Sequence, residues 1–215
     1  LSPAKVNLTL EVRHRRPDGY HEVQTLMHRI DLADEIEIDR ERTGLALSCE
    51  GGEETPPGPD NLAYRAAQVF FQRTEIRGGA RIRLRKRIPV AAGLGGGSSN
   101  AATVLIMLNE LFQAKIKDSV LMAWGAEIGA DVPFFIFKRP AWAGGIGERL
   151  EAADLPDGLW FLLLVPPFRI STAWAYAAYD ALGVDKAGSF LVKRSFKEVA
   201  ELLPILHNDL ERASV

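Results

Sequence analysis

The sequence predicts an α+β fold. Three observations lead there: period-two alternation near the N-terminus and again over 80–88, apolar helical stretches interleaved with these strands, and no strict strand–helix–strand beat of the kind a doubly wound parallel sheet needs. Ala4, Val6, Leu8, Leu10 and Val12 alternate with Lys5, Asn7, Thr9 and Glu11, which is a strand with one apolar side. The same alternation sets Lys5 and Asn7 together on the opposite side. Arg15-Arg16-Pro17-Asp18-Gly19 is a turn. Strands are expected near 35–40 and 45–49, followed by an exposed Gly-, Pro- and Glu-rich loop over 51–59. Asp60 or Asn61 caps a helix whose apolar stripe is Leu62, Ala66, Val69 and Phe70. In the 80–88 strand Ile82, Leu84 and Ile88 oppose Arg81, Arg83, Arg85 and Arg87. Helices are expected over 99–112 and 118–128, and strands over 132–137, 141–150 and 159–166. Ser195, with Glu198 three residues on, has capping-box spacing and marks a helix start.

Composition bounds the function. The 215 residues suit one large domain or two small intimate ones. Hydrophobic residues at 47% and charged residues at 25% are the mix of a soluble globular protein. A formal net charge of −2 supplies no global basic field, so neither nucleic acid nor an anionic membrane is an expected partner. Cys49 is the single cysteine, which rules out an intramolecular disulfide and points to a reducing, cytoplasmic setting. No apolar run reaches membrane-spanning length, and Leu1-Ser2-Pro3 lacks a signal-peptide layout. With no initiator methionine, a few residues are expected to precede Leu1.

The most informative stretch is Pro89-Val90-Ala91-Ala92-Gly93-Leu94-Gly95-Gly96-Gly97-Ser98-Ser99, followed by Asn100. Four glycines remove Cβ atoms where a backbone must approach a ligand. Ser98, Ser99 and Asn100 are good N-caps for the following helix, whose Ala101, Ala102, Val104, Leu105, Ile106, Leu108, Leu111 and Phe112 make it apolar nearly all round and therefore buried. Open N–H groups and the helix dipole then converge on an anion site suited to phosphate. A flexible glycine linker is the bland alternative, but linkers do not usually run straight into a buried helix. The P-loop pattern fails because no lysine follows these glycines. The dinucleotide fingerprint fails because Ser98 stands where its third glycine belongs.

These residues resemble the ATP loop of the GHMP kinases, the family of galactokinase, homoserine kinase, mevalonate kinase and phosphomevalonate kinase. Five further pieces are similar to one branch of that family, which acts on cytidylyl methylerythritol. They are Pro3-Ala4-Lys5-Val6-Asn7-Leu8, Asp18-Gly19-Tyr20-His21-Glu22 with Gln24-Thr25-Leu26, Gly129-Ala130-Asp131-Val132-Pro133-Phe134-Phe135, and Gly144-Gly145-Ile146-Gly147-Glu148 with Asn208-Asp209-Leu210-Glu211. The resemblance implies a small-molecule kinase that uses ATP and Mg²⁺ to phosphorylate the substrate's 2-hydroxyl in non-mevalonate isoprenoid biosynthesis. It also implies an N-terminal ATP-binding lobe like ribosomal protein S5 domain 2, placed at 1–150, and the start of a ferredoxin-like lobe at 151–215.

Phosphoryl transfer needs positioning, charge neutralisation and a proton acceptor on the attacking hydroxyl. Asp131 is the candidate base; its alternative role is a turn aspartate satisfying local N–H groups. Lys5 is its candidate partner, keeping the carboxylate ionised and meeting the transferring phosphate, against the plain alternative of a solvated strand lysine. Asn7 is placed to orient the substrate hydroxyl. Tyr20 and His21 follow the Gly19 turn, where an aromatic ring can stack on cytosine. The family carries a second aromatic on a helix after a Ser/Thr turn; Ser171-Thr172-Ala173-Trp174-Ala175-Tyr176 fits, with Tyr176 at the matching place and Trp174 as its substitute in another register. The arginine stripe is either a solvated face or a surface steering ATP. His28 and His207 lack metal-ligand spacing, and no residue is assigned to a metal.

A third family motif, a second Gly/Ser-rich loop near the C-terminus, has no counterpart before Val215. The expectation is a truncated second lobe with an open sheet edge that invites self-association, a homodimer included. Val192, Phe196, Leu202, Leu203, Ile205 and Leu206 are expected to pack beneath that lobe's sheet. Two other readings stand beside the main one: a GHMP kinase of homoserine or mevalonate type, and a truncated non-catalytic nucleotide-binding module.

Overall fold

Strand β1 (Ser2–Arg15) forms where alternation predicted it, with Ala4, Leu8, Leu10 and Val12 buried. The computed structural model describes residues 1–51, 56, 58–166, 170–183 and 194–213. The turn after β1 closes through the Arg16 N–H to the Tyr20 carbonyl and the Gly19 N–H to the Arg16 carbonyl. Next comes β2 (His21–Glu41), a single long strand where the sequence pattern had marked only 35–40. Its first half was legible only as motif, because Thr25 takes an inward position and Leu26 and Met27 are adjacent and both buried, which breaks the apolar alternation.

The chain forms two compact units. The first comprises Leu1–Ala4, Ile30–Val90 and Leu94–Lys138. Here β4 (Gly79–Arg85) lies antiparallel to the second half of β2 and parallel to β3 (Gly44–Glu50). Ile82 and Leu84 turn inward, as alternation required. The four arginines do not form an open basic surface. Register sets Arg81, Arg83 and Arg85 opposite Asp39, Glu37 and Glu35, and Arg83 reaches Glu37 at 2.8 Å and Asp39 at 2.7 Å. Arg81 pairs with Glu41 at 2.6 Å and Arg87 with Glu35 at 2.5 Å. The stripe is thus a charge-balanced, solvated face rather than an ATP-steering one.

Helix α1 (Leu62–Thr74) starts at Asn61, whose side chain accepts from the Ala63 N–H at 2.9 Å. Its buried stripe is Ala63, Ala66, Ala67 and Phe70, shifted slightly from the expected one. The glycine-led helix α2 (Gly96–Leu111) buries Ala101, Ala102, Val104, Leu105 and Leu108. Helix α3 (Asp118–Ile128) falls where expected. Residues 132–137 form a helix, α4 (Val132–Phe137), not the expected strand. A short apolar run cannot be told from a buried helix by periodicity. Pro133 in the first turn and Lys138 in left-handed conformation at φ 61° mark the two helix ends.

The second unit comprises Lys5–Arg29, Ala91–Gly93 and Arg139–Val215. Strand β5 (Ala141–Gly144) pairs with the first half of β2 and, antiparallel, with β6 (Arg149–Ala152), so the expected 141–150 strand is a hairpin. Helix α5 (Thr172–Ala181) is capped by Ser171, which accepts from the Trp174 N–H at 3.1 Å. Strand β7 (His207–Asn208) lies parallel to β1. The buried Asp209 accepts from the Val12 N–H at 2.9 Å, and the Tyr179 hydroxyl donates to the Val12 carbonyl at 3.4 Å. Burial first, and then the Asp209 carboxylate, push the Tyr179 phenol above its ordinary pKa.

Leu8, Leu26, Trp142, Ala153, Phe196 and Leu202 form this unit's core, with Leu159, Phe161 and Ile205 packed against it. Leu203 and Leu206 are exposed instead, and Val192 lies outside the described residues. Residues 159–166, an apolar run expected to form a strand, have no strand structure, and Trp160 is 96% exposed. Extended chain without a hydrogen-bonded neighbour is not a strand. The capping box at Ser195 starts no α-helix: Ser195 bridges to Asp154, and only short 3₁₀ turns follow at Val199–Glu201 and Leu203–Ile205.

Candidate active site

The glycine loop leaves β4 at Lys86 and enters α2 at Gly96. Gly95 is the N-cap, in left-handed conformation at φ 70°, which a β-branched residue would rarely adopt. No side chain caps this helix. Ser98, Ser99 and Asn100 lie inside its first turns rather than at the cap, because Ser99 and Asn100 are turned into the buried interior. The first helical bond runs from the Ser99 N–H to the Gly95 carbonyl at 2.9 Å. The N–H groups of Gly96, Gly97 and Ser98 therefore have no acceptor within the helix. Leu94 is buried beside this turn, while Ala91, Ala92 and Gly93 are exposed, with Ala91 at φ 57°. Pro89 and Val90 are half-buried.

Asp131 sits at the N-cap of α4, in the turn that joins α3 to α4. Its side chain makes no capping bond to α4. The turn is closed by the backbone instead, with the Val132 N–H donating to the Gly129 carbonyl at 3.0 Å.

In the second unit Lys5 is only 5% exposed, which removes the solvated-lysine alternative. Its ammonium donates to Asn7 Oδ1 at 2.9 Å, so the two residues that alternation placed on one face do meet. His21 and Tyr176 also meet: their rings stack with centroids 5.0 Å apart and planes 16° from parallel. His21 Nε2 lies 2.6 Å from Asp180 Oδ1, a partner on α5 that no sequence motif had singled out. Tyr20 is 60% exposed and makes no ring stack with this pair among the described contacts; its N–H donates to Asp18 Oδ1 at 3.1 Å. Desolvation pushes the Asp18 carboxyl up, but Arg16 and the Tyr20 N–H outweigh it and hold the group below its ordinary pKa. Trp174 is exposed and is not part of this stack. Glu22 accepts from the Gly145 N–H at 3.0 Å and pairs with Arg149, tying the motif after Tyr20-His21 to the β5–β6 turn.

Residues 61–139, which include the glycine-led start of α2, match the GHMP kinases N terminal domain, which marks the class as GHMP kinase. Over 212 residues the chain is 46% identical to the 4-diphosphocytidyl-2-C-methyl-D-erythritol kinase of Citrifermentans bemidjiense, covering 98% of this chain and 75% of that one. It is 46% identical to the enzyme of the same name from Geobacter sulfurreducens, over 100% of this chain and 76% of the relative. A crystal structure of 4-(cytidine 5'-diphospho)-2C-methyl-D-erythritol kinase superposes with a TM-score of 0.76 at 38% identity, over 100% of this chain and 76% of that one. Mevalonate kinase of Methanococcus jannaschii, at 16% identity and a TM-score of 0.52 over 70% of this chain and 53% of that one, shares the fold. The chain belongs to the 4-diphosphocytidyl-2-C-methyl-D-erythritol kinase family.

Proposed function

We propose that this protein transfers the terminal phosphoryl group of ATP to the 2-hydroxyl of 4-diphosphocytidyl-2-C-methyl-D-erythritol, a step of non-mevalonate isoprenoid biosynthesis. The observation that carries the reading is the family relationship over the whole chain. The homoserine- and mevalonate-type alternatives are not favoured by it.

The residue roles follow from chemistry. Loop residues 89–99 hold the phosphates, with the Gly96, Gly97 and Ser98 N–H groups as donors and the α2 dipole favouring negative charge. Asp131 accepts the proton of the attacking hydroxyl. Lys5 supplies positive charge to the transferring group, and its bond to Asn7 fixes its direction. Asn7 orients the substrate hydroxyl. His21 and Tyr176 present stacked rings to the cytosine, and the exposed Tyr20 has ring surface to give up to it.

Mg²⁺ arrives with ATP as part of the substrate. It binds through phosphate oxygens and keeps several waters, so it needs no cage of protein ligands. Among the described residues, no group of three or more His, Cys, Asp and Glu side chains could hold a metal ion. No helix among them is long and apolar enough to cross a membrane. The exposed thiol of Cys49 suits a reducing cytoplasm.

The test is ATP consumption against a panel of alcohols. Turnover with the cytidylyl substrate and not with homoserine or mevalonate supports the reading. Turnover with either of those in preference refutes it.

A further inference from the structure

Behind the glycine loop lies a buried charged cluster that the reaction chemistry does not use. Asp34, on β2, is 0% exposed, and Lys86 and Asn100 are 7% and 2% exposed. Asp34 Oδ1 accepts from the backbone N–H groups of Arg87 at 2.7 Å and Ile88 at 2.9 Å. Its Oδ2 accepts from the Lys86 ammonium and from Asn100 Nδ2, the latter at 2.9 Å. Lys86 also donates to Asn100 Oδ1 at 3.1 Å, which closes a three-residue ring. Asn100 Nδ2 donates further to Ser2 Oγ at 2.9 Å, and Ser2 donates to Ser99 Oγ at 2.8 Å.

The partners fall at the two ends of the loop. Lys86, Arg87 and Ile88 lead into it; Ser99 and Asn100 lead out of it. One carboxylate therefore fastens both ends. The cluster also reaches the glycines themselves: a Cβ at Gly96 would stand 3.1 Å from Ile88 Cγ2 and 3.3 Å from Lys86 Nζ. A side chain at Gly96 would therefore press on Ile88 and Lys86, which would have to give by a few tenths of an ångström.

A buried ion pair is weak evidence for stability, because an apolar pair of the same size is often as good; breaking one partner is what costs. Position is the better reason for this one. Phosphate binding through backbone N–H groups depends on their placement, and small misplacements carry large losses.

We propose that Asp34, with Lys86 and Asn100, is a positioning clasp that fixes the span of the phosphate loop and so sets ATP affinity. The inference rests on loop 89–99 being the phosphate site.

The test compares Asp34→Asn, Lys86→Met, their double variant, and Asn100→Ser by melting temperature, by ATP binding, and by KM for each substrate. Each single charge deletion leaves a buried charge unpaired and lowers the melting temperature, and the double variant regains much of it. ATP affinity nevertheless falls between about 10- and 100-fold in the double variant. KM for the cytidylyl substrate stays within about twofold, and amides 96–98 exchange faster in the nucleotide-free protein while α3 does not change. A double variant that melts near wild type and binds ATP as wild type overturns the proposal. Asn100→Ser keeps the ion pair and cuts the tie to the loop exit, so it is informative even where the charge variants do not fold; wild-type ATP affinity there also overturns it. Gly95→Val separates the two ideas. If it binds ATP normally, the phosphate-site reading falls and takes the clasp with it. If it loses ATP while the clasp variants do not, the clasp alone is wrong.

Discussion

His21 on β2 and Tyr176 on α5 stack ring against ring, with centroids 5.0 Å apart and an interplanar angle of 16°. Asp180, one helical turn beyond Tyr176, holds the same imidazole at 2.6 Å. The strand start and the helix thus build one aromatic platform. Removing the Tyr176 ring takes away stacking area without touching the glycine loop. Tyr176→Ala is expected to weaken the cytidylyl substrate by about 1–3 kcal/mol. ATP affinity is expected to stay put, and calorimetric titration with each ligand checks both. Equal losses for the two ligands would indicate general destabilisation instead.

Asp131→Asn keeps the shape of the side chain and removes its basicity. Turnover is expected to fall on the order of 10²–10⁴-fold with ATP binding retained. Single-turnover kinetics separate the two. A variant that keeps most of its rate would return Asp131 to a structural role.

Asn61→Ala removes the side-chain acceptor for the Ala63 N–H at the start of α1. The melting curve is expected to report a loss of about 0.5–2 kcal/mol. A larger loss would mean that the Asn61 bond to the Pro56 carbonyl, at 3.1 Å, adds to the cap.

Much of this was readable in advance, for identifiable reasons. Asn61, one of the two positions offered, caps α1, because capping is local chemistry. Lys5 and Asn7 meet because strand period two is rigid. What escaped is long-range or ambiguous. Val132–Phe137 is apolar throughout, so its period carried no information, and it became a helix. Residues 159–166 are an apolar run that suggested a buried strand, but a strand needs a partner that composition does not specify. Ser99 and Asn100 looked like caps, and only the fold shows Ser2, Asp34 and Lys86 waiting for them. Asp34, Lys86 and Asp180 carry no motif and become visible only through their contacts.

The arginine ladder makes a negative prediction. Arg83→Ala removes the contacts to Glu37 and Asp39 on an exposed face. Exposed pairs contribute little to stability and are screened by salt. KM for ATP is expected to be unchanged at low and at physiological ionic strength. A rise in KM confined to low salt would revive a steering role for this face.

The most direct measurement is the position of the transferred phosphoryl group. With ATP, Mg²⁺ and 4-diphosphocytidyl-2-C-methyl-D-erythritol, ³¹P NMR of the product should show one new phosphomonoester coupled to the 2-position, appearing in step with ADP. A phosphate on another hydroxyl, ADP released without any phosphorylated alcohol, or a phosphorylated homoserine or mevalonate formed in preference would contradict the account.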